Sequence, residues 1–232
     1  MRINKYVAQA TGLSRRAADK VIDEGRVNVN GVTAVRGQDV AKFDRVTLDG
    51  HEIKAADKIT TIMLNKPVGY VVSRNGQGSK TIYDLLPARY HHLKPVGRLD
   101  KDSSGLLLLT NDGDLAQELT HPKYEKTKVY EVELDRPLTP EALHKLQSGV
   151  RLEDGMSHLD VHRLLLGSSI DPKNLSNKIY RVQMHEGRNR QIRRTFAALG
   201  YKVTRLHRTH FGDYKLNDIP QGKFVLVQGL GQ

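Results

Sequence analysis

The chain has 232 residues, a formal net charge of +11, 38% hydrophobic residues and no cysteine. That content supports a packed core in one large domain or two smaller ones, while the missing cysteine excludes disulfides and thiolate metal sites. No apolar run approaches the ~20 residues of a bilayer-spanning helix, and the opening MRINKYVAQATG lacks the apolar core of a signal peptide.

The reading is therefore of a cytoplasmic protein with no membrane partner. The positive surplus is clustered: residues 181–210 carry eight Arg or Lys against one acid, and residues 1–48 carry nine basic and five acidic residues. Both clusters lie in segments with regular periodicity, which points to a polyanion, most often nucleic acid, as the partner.

Along residues 1–48, NKYVAQATG reads as a short helix ended by Gly12. Ser14 is a good N-cap for a second helix, RRAADKVIDEG, with Ala17, Ala18, Val21 and Ile22 as its apolar face. Asn30-Gly31 marks a hairpin turn between alternating strands, and DRVTLDG supplies one more strand. Residues 49–58 are polar and weakly patterned and read as a linker. A larger domain, 59–232, follows, in which many β-rich segments and few helices indicate an α+β fold around a mixed or antiparallel sheet flanked by helices and loops. Within it, four consecutive leucines at 106–109 sit between GRLDKDSSG and NDG, as a short buried strand fixed to a tight polar turn.

SRRAADKVIDEGRVNVNG resembles the αL-type RNA-binding domain of a small-subunit ribosomal protein and of several RNA-modifying enzymes. The resemblance makes Arg15, Arg16, Lys20 and Arg26 phosphate contacts, which give affinity rather than sequence selectivity.

Four further stretches resemble, in order, the pseudouridine synthases of the RsuA/RluB branch: LNKPVGYVVS at 64–73, GRLDKDSSGLLLLTNDG at 97–113, KTKVYEVEL at 126–134 and EGRNRQIRRTFAALG at 186–200. The resemblance implies isomerisation of uridine to pseudouridine in ribosomal RNA, with large-subunit RNA preferred. The uracil–ribose bond is broken, the base is turned and it is rejoined through carbon. No group is added or removed, so no cofactor is expected. It makes Asp100 the essential carboxylate, Arg193 its ion-pair partner and Tyr130 the aromatic packed on the target base. Arg98 would fill the space left by the flipped nucleotide or hold that nucleotide, Lys66 would shape the pocket floor, and Arg188, Arg190, Gln191 and Arg194 would bind RNA.

By residue type alone, Asp100 reads rather as a turn or cap residue, a reading that the four stretches together reverse, and Asp102, Asp112 and Asp114 read as turn and capping residues. DKDSSG begins like a calcium loop but has Asn111 where the terminal bidentate Glu belongs, and no histidine pair has ligand spacing, so no metal is expected. The partner expected is rRNA, free or in a pre-ribosomal particle, bound by a monomer. A small-subunit or transfer RNA synthase is the nearest alternative. A non-catalytic RNA-binding or ribosome-assembly factor is the other, although it would have no need of Asp100, Tyr130 and Arg193 together.

Overall fold

The computed structural model describes residues 1–54, 59–164 and 178–227. The chain divides into two units, residues 1–60 and 61–232.

In the first unit, α1 (Ile3–Thr11) stops at Gly12, whose φ of 76° suits a residue without a Cβ. In α2 (Arg15–Asp23), Ser14 Oγ accepts the Ala17 N–H at 3.0 Å, satisfying one of the first-turn donors that would otherwise lack a partner. Strands β1 (Val27–Val29), β2 (Val32–Thr33), β3 (Val46–Leu48) and β4 (His51–Ile53) form an antiparallel sheet in the order β2-β1-β3-β4. Asn30 and Gly31 reverse the chain with φ of 52° and 83°, the left-handed pair a two-residue hairpin needs. Ile3, Val7, Ala18, Ile22, Val27 and Val46 form the core. The expected linker at 49–58 needs correction at its start, because His51–Ile53 pairs with β3 as a strand of this sheet. Residues 55–58 lie outside the described residues.

The second unit runs β5 (Thr61–Lys66), β6 (Lys94–Val96), β7 (Ser104–Thr110), α3 (Gly113–Thr120), β8 (Lys128–Leu134) and α4 (Pro140–Ser148). It continues with β9 (Val150–Leu152), β10 (Gly155–Ser157), β11 (Asp160–Arg163), β12 (Ile179–Met184) and α5 (Gln191–Ala198), and ends with β13 (Val203–Phe211), β14 (Tyr214–Lys215) and β15 (Phe224–Leu226). The main sheet has the order β11-β12-β8-β13-β7-β5-β15, with β14 added to β13 and β6 to β7, while β9 and β10 pair separately. Only β13 and β7 are parallel among the described pairs, so the sheet is mixed and the fold α+β.

The leucine run is β7. Leu107 and Leu109 enter the core on one face of the sheet, while Leu106 and Leu108 enter a second core on the other, with Val96, Leu119 and Phe211. A central strand buried on both faces loses the usual apolar–polar alternation and becomes continuously apolar. Gly105 stands opposite Arg208 where β7 and β13 run side by side. Its φ is +106°, and a Cβ there would lie 2.2 Å from the Arg208 carbonyl oxygen. Only glycine allows this close approach. Among the described residues, no helix is long and apolar enough to cross a membrane.

Candidate active site

The turn carrying Asp100 leads directly into β7 and is held from behind. Lys66, the last residue of β5, has no solvent exposure. Its Nζ donates to the carbonyl oxygens of Pro67 and Asp100, both at 3.0 Å, and of Ser103 at 2.7 Å. An ammonium has three donors, and all three go to this turn and the neighbouring Pro67. Burial pushes the Lys66 pKa down to about 8, against the opposing pull of Asp100 and Asp102. Lys66 was expected to shape the pocket floor. It does not line the cleft and instead braces the backbone on which Asp100 sits.

In front of that turn lies a cleft of about 810 Å³ lined by Asp100, Arg98, Tyr130, Arg190 and Arg208, among others. Tyr130 takes an inward position of β8, is 8% exposed, and faces Val182 and Arg208 in the adjacent strands. Its hydroxyl has no hydrogen-bond partner among the described residues. Arg98 is exposed and has no ion-pair partner among the described residues.

The cation nearest the Asp100 carboxylate is Arg190, with Nη1 3.4 Å from Oδ2. Arg190 also donates to both oxygens of Asp102, at 3.0 and 2.9 Å. This bidentate hydrogen bond, against the opposing effect of burial, holds the Asp102 carboxyl below its usual range. Arg190 sits at the N-cap of α5 with φ of +47°, a conformation costing roughly 1–2 kcal/mol for a residue with a Cβ, offset here by its two carboxylate partners. Arg193, expected to pair with Asp100, instead donates to the carbonyl oxygens of Asp102 at 2.8 Å and Val203 at 2.9 Å. Its Nε is 3.3 Å from Asp102 Oδ2. The α5 helix begins one residue after Arg190, so Arg193 emerges deeper, against β13, and reaches the turn through Asp102. Asp102 is therefore an ion-pair hub, not simply a turn residue. Asp112 does cap α3, accepting from the N–H groups of Asp114 and Leu115.

Arg188 and Arg194 were expected to be RNA ligands, and both are committed to Asp154. Arg188 Nη1 lies 3.0 Å from Asp154 Oδ1, its Nη2 donates to Met156 O at 2.7 Å and its Nε faces Glu186 at 2.9 Å. Arg194 Nη2 donates to Asp154 Oδ2 at 2.7 Å. Gln191 is 2% exposed and bonds to the Arg188 N–H, Ser157 Oγ and Glu186. These three side chains fasten the cleft wall to the β9–β10 hairpin. In the first unit, Arg15 and Arg16 are exposed and Lys20 lies 3.8 Å from Glu24. Arg26 is held by Asp49 at 2.8 and 2.7 Å and by Glu24 at 3.1 Å, so it is not the free phosphate ligand expected.

Three cleft cations were not singled out from the sequence, Lys126, Lys128 and Arg208. Arg208 occupies an inward position of β13 between Leu206 and Phe211. A charge where the strand pattern calls for an apolar residue is the signal that marks it.

A family model described as RNA pseudouridylate synthase matches residues 60–198, and one described as S4 domain matches residues 1–46. Ribosomal large subunit pseudouridine synthase B of Bacillus subtilis is 38% identical, over 95% of this chain and 89% of that protein. The dual-specificity RNA pseudouridine synthase RluF of Salmonella typhi is 35% identical, over 96% of this chain and 74% of that protein. A crystal structure of a pseudouridylate synthase superposes with a TM-score of 0.67 at 29% identity, covering 98% of this chain and 96% of that one.

Proposed function

The chain belongs to the RNA pseudouridylate synthase family, and from that premise we propose that it isomerises a uridine of large-subunit ribosomal RNA with Asp100 as the reacting carboxylate. Uridine in a folded RNA is stacked, and chemistry at its glycosidic bond needs the base turned out into a pocket. The cleft offers a floor, Tyr130, on which a flat base packs, and Arg98, exposed beside Asp100, to occupy the vacated space. Asp100 assists at the sugar or the base while the uracil detaches, turns and rejoins through carbon. Because the base stays in the site, no second carboxylate is required, in contrast with glycoside hydrolysis.

The observation carrying this reading is the Asp100 turn, braced from behind by buried Lys66 and open in front to the cleft that Tyr130 lines. Preorganised placement of this kind is how a fixed group acts on a transition state without reorganising. Arg193 acts as a positioning residue through Asp102, and Arg190 acts both through Asp102 and at the Asp100 carboxylate itself. In the S4-type unit, Arg15, Arg16 and Lys20 supply phosphate contacts. The reading includes a monomer acting in the cytoplasm on free rRNA or on a pre-ribosomal particle.

The test is Asp100→Asn, which keeps the shape of the side chain and removes its charge. Pseudouridine formation in rRNA should be abolished, with thermal unfolding and RNA affinity close to wild type. Turnover near wild type would remove Asp100 from the reaction.

A further inference from the structure

Two cations share one aromatic ring in the cleft, and neither has an ion-pair partner among the described residues. Arg208 is 2% exposed, its Nε donates to Leu106 O at 2.8 Å, and its guanidinium stands 4.7 Å from the Phe211 ring centroid. Its Nη2 is buried and has no acceptor among the described residues. Lys128 Nζ lies 5.4 Å from the same centroid and donates to the backbone oxygens of His185 at 3.3 Å and Glu186 at 3.1 Å. Burial, and secondly the charge of Arg208, push the Lys128 pKa down.

Of the acids lining the cleft, Asp100 meets Arg190, and Glu125 forms no ion pair with either cation among the described residues. Glu186 turns its carboxylate to Arg188 and Gln191, and Glu118 is paired with Lys126 at 2.6 Å. Buried charge is normally paired, because uncompensated desolvation costs several kcal/mol per ion. The Phe211 ring returns only about 0.5–2 kcal/mol per cation and leaves the Nη2 donor unmet. Phe211 explains where the two cations rest, but not why the fold brings two of them there. The arrangement lacks an anion with several acceptor oxygens, and a guanidinium fork suits a phosphate.

We propose that Arg208 and Lys128 form a subsite for one backbone phosphate of the RNA strand carrying the target uridine. This rests on the reading of the cleft as the uridine site. Lys128 and Tyr130 are two residues apart on β8, so their side chains leave the same face about 7 Å apart. A phosphate on Lys128 and Arg208 would thus belong to a linkage adjoining the base on Tyr130. Pinning that linkage fixes the backbone about which the flipped nucleotide turns.

The experiment uses the full chain and a synthetic RNA hairpin carrying the uridine identified by comparing pseudouridines in rRNA from cells with and without the protein. The charge at each linkage around that uridine is removed in turn as a methylphosphonate. For the wild-type protein, one linkage should stand out, its neutral form weakening binding about tenfold, as loss of a charge-assisted contact does. Lys128→Met keeps the apolar stem against Phe211 and should itself bind about tenfold more weakly. It should respond to the same neutral linkage by no more than about twofold, because the two changes remove one interaction. Its slope of log affinity against log salt should fall by about 0.7–0.9. Lys128→Arg should restore most of the affinity. Wild-type affinity and slope in Lys128→Met, or fully additive losses with every methylphosphonate, would overturn the proposal. Arg208→Gln is a supplementary variant, since Arg208 also holds Leu106. All readouts are of binding, so activity surviving in Asp100→Asn would refute the catalytic assignment and leave this test intact.

Discussion

Lys66→Met replaces the ammonium with a side chain of similar volume that cannot donate. Three carbonyl oxygens, of Pro67, Asp100 and Ser103, then lose their donor. At about 2 kcal/mol for each buried acceptor left unmet, the loss is about 6 kcal/mol. Against this, the ammonium no longer has to be buried. The fall of its pKa from 10.5 to about 8 corresponds to about 3 kcal/mol. The net expectation is a destabilisation of about 3 kcal/mol in the second unit, with turnover reduced more than tenfold because the Asp100 backbone is no longer braced. Urea unfolding followed by circular dichroism measures the first quantity and single-turnover conversion of rRNA the second. Titration of Lys66 adds a signature with opposite signs. Above pH about 8 the folded chain releases this proton while the unfolded chain keeps it up to about 10.5. The unfolded state then binds more protons and stability rises with pH in that window, by up to about 3 kcal/mol. In the same window the neutral amine presents a lone pair to carbonyl oxygens and turnover falls. Both trends are read as wild type minus Lys66→Met, which cancels the other titrating groups. A stability change under ~1 kcal/mol together with turnover within about twofold of wild type would refute the bracing role.

Arg16→Ala combined with Lys20→Ala should lower the salt slope of rRNA binding by about 1.5, two phosphate contacts' worth. An unchanged slope would mean this helix face is only solvated. Gly105→Ala places a methyl group 2.2 Å from the Arg208 carbonyl oxygen at a φ of +106°, so thermal unfolding should show a loss of more than ~2 kcal/mol. A wild-type melting temperature would refute the close contact between β7 and β13.

The first unit was largely legible because its signals are local. Ser14, Gly12 and Asn30-Gly31 each act on the backbone within a few residues, and each acts where the pattern placed it. The strand missed there, His51–Ile53, is polar and three residues long, so no periodicity marks it. Its turn, Asp49-Gly50, adopts φ of 51° and 77°, the left-handed pair also seen at Asn30-Gly31, but both residues lie in the stretch read from the sequence as a linker. The buried leucine strand was legible from its run alone, but the split of its side chains between two cores depends on strands far apart in sequence.

The pairing of charges within the site is the part that local pattern could not supply. Seven residues, 188 to 194, contribute four arginines, and which of them meets Asp100 depends on where α5 begins. A start one residue later than Arg190 leaves that residue at the N-cap, facing the turn, and sends Arg193 back toward β13. Lys66 poses the same problem in a strand: its spacing places it on a face, but only the packed sheet shows that its head is enclosed by the turn. The consequence for mechanism follows from these two residues together. Lys66 fixes the backbone of Asp100, whereas the carboxylate itself meets one guanidinium, and that guanidinium is shared with Asp102. Asp100, the proposed reacting group, is therefore rigidly mounted yet lightly held at its tip, an arrangement that would let the carboxylate turn toward a bound ribose or base without unfolding the turn that presents it.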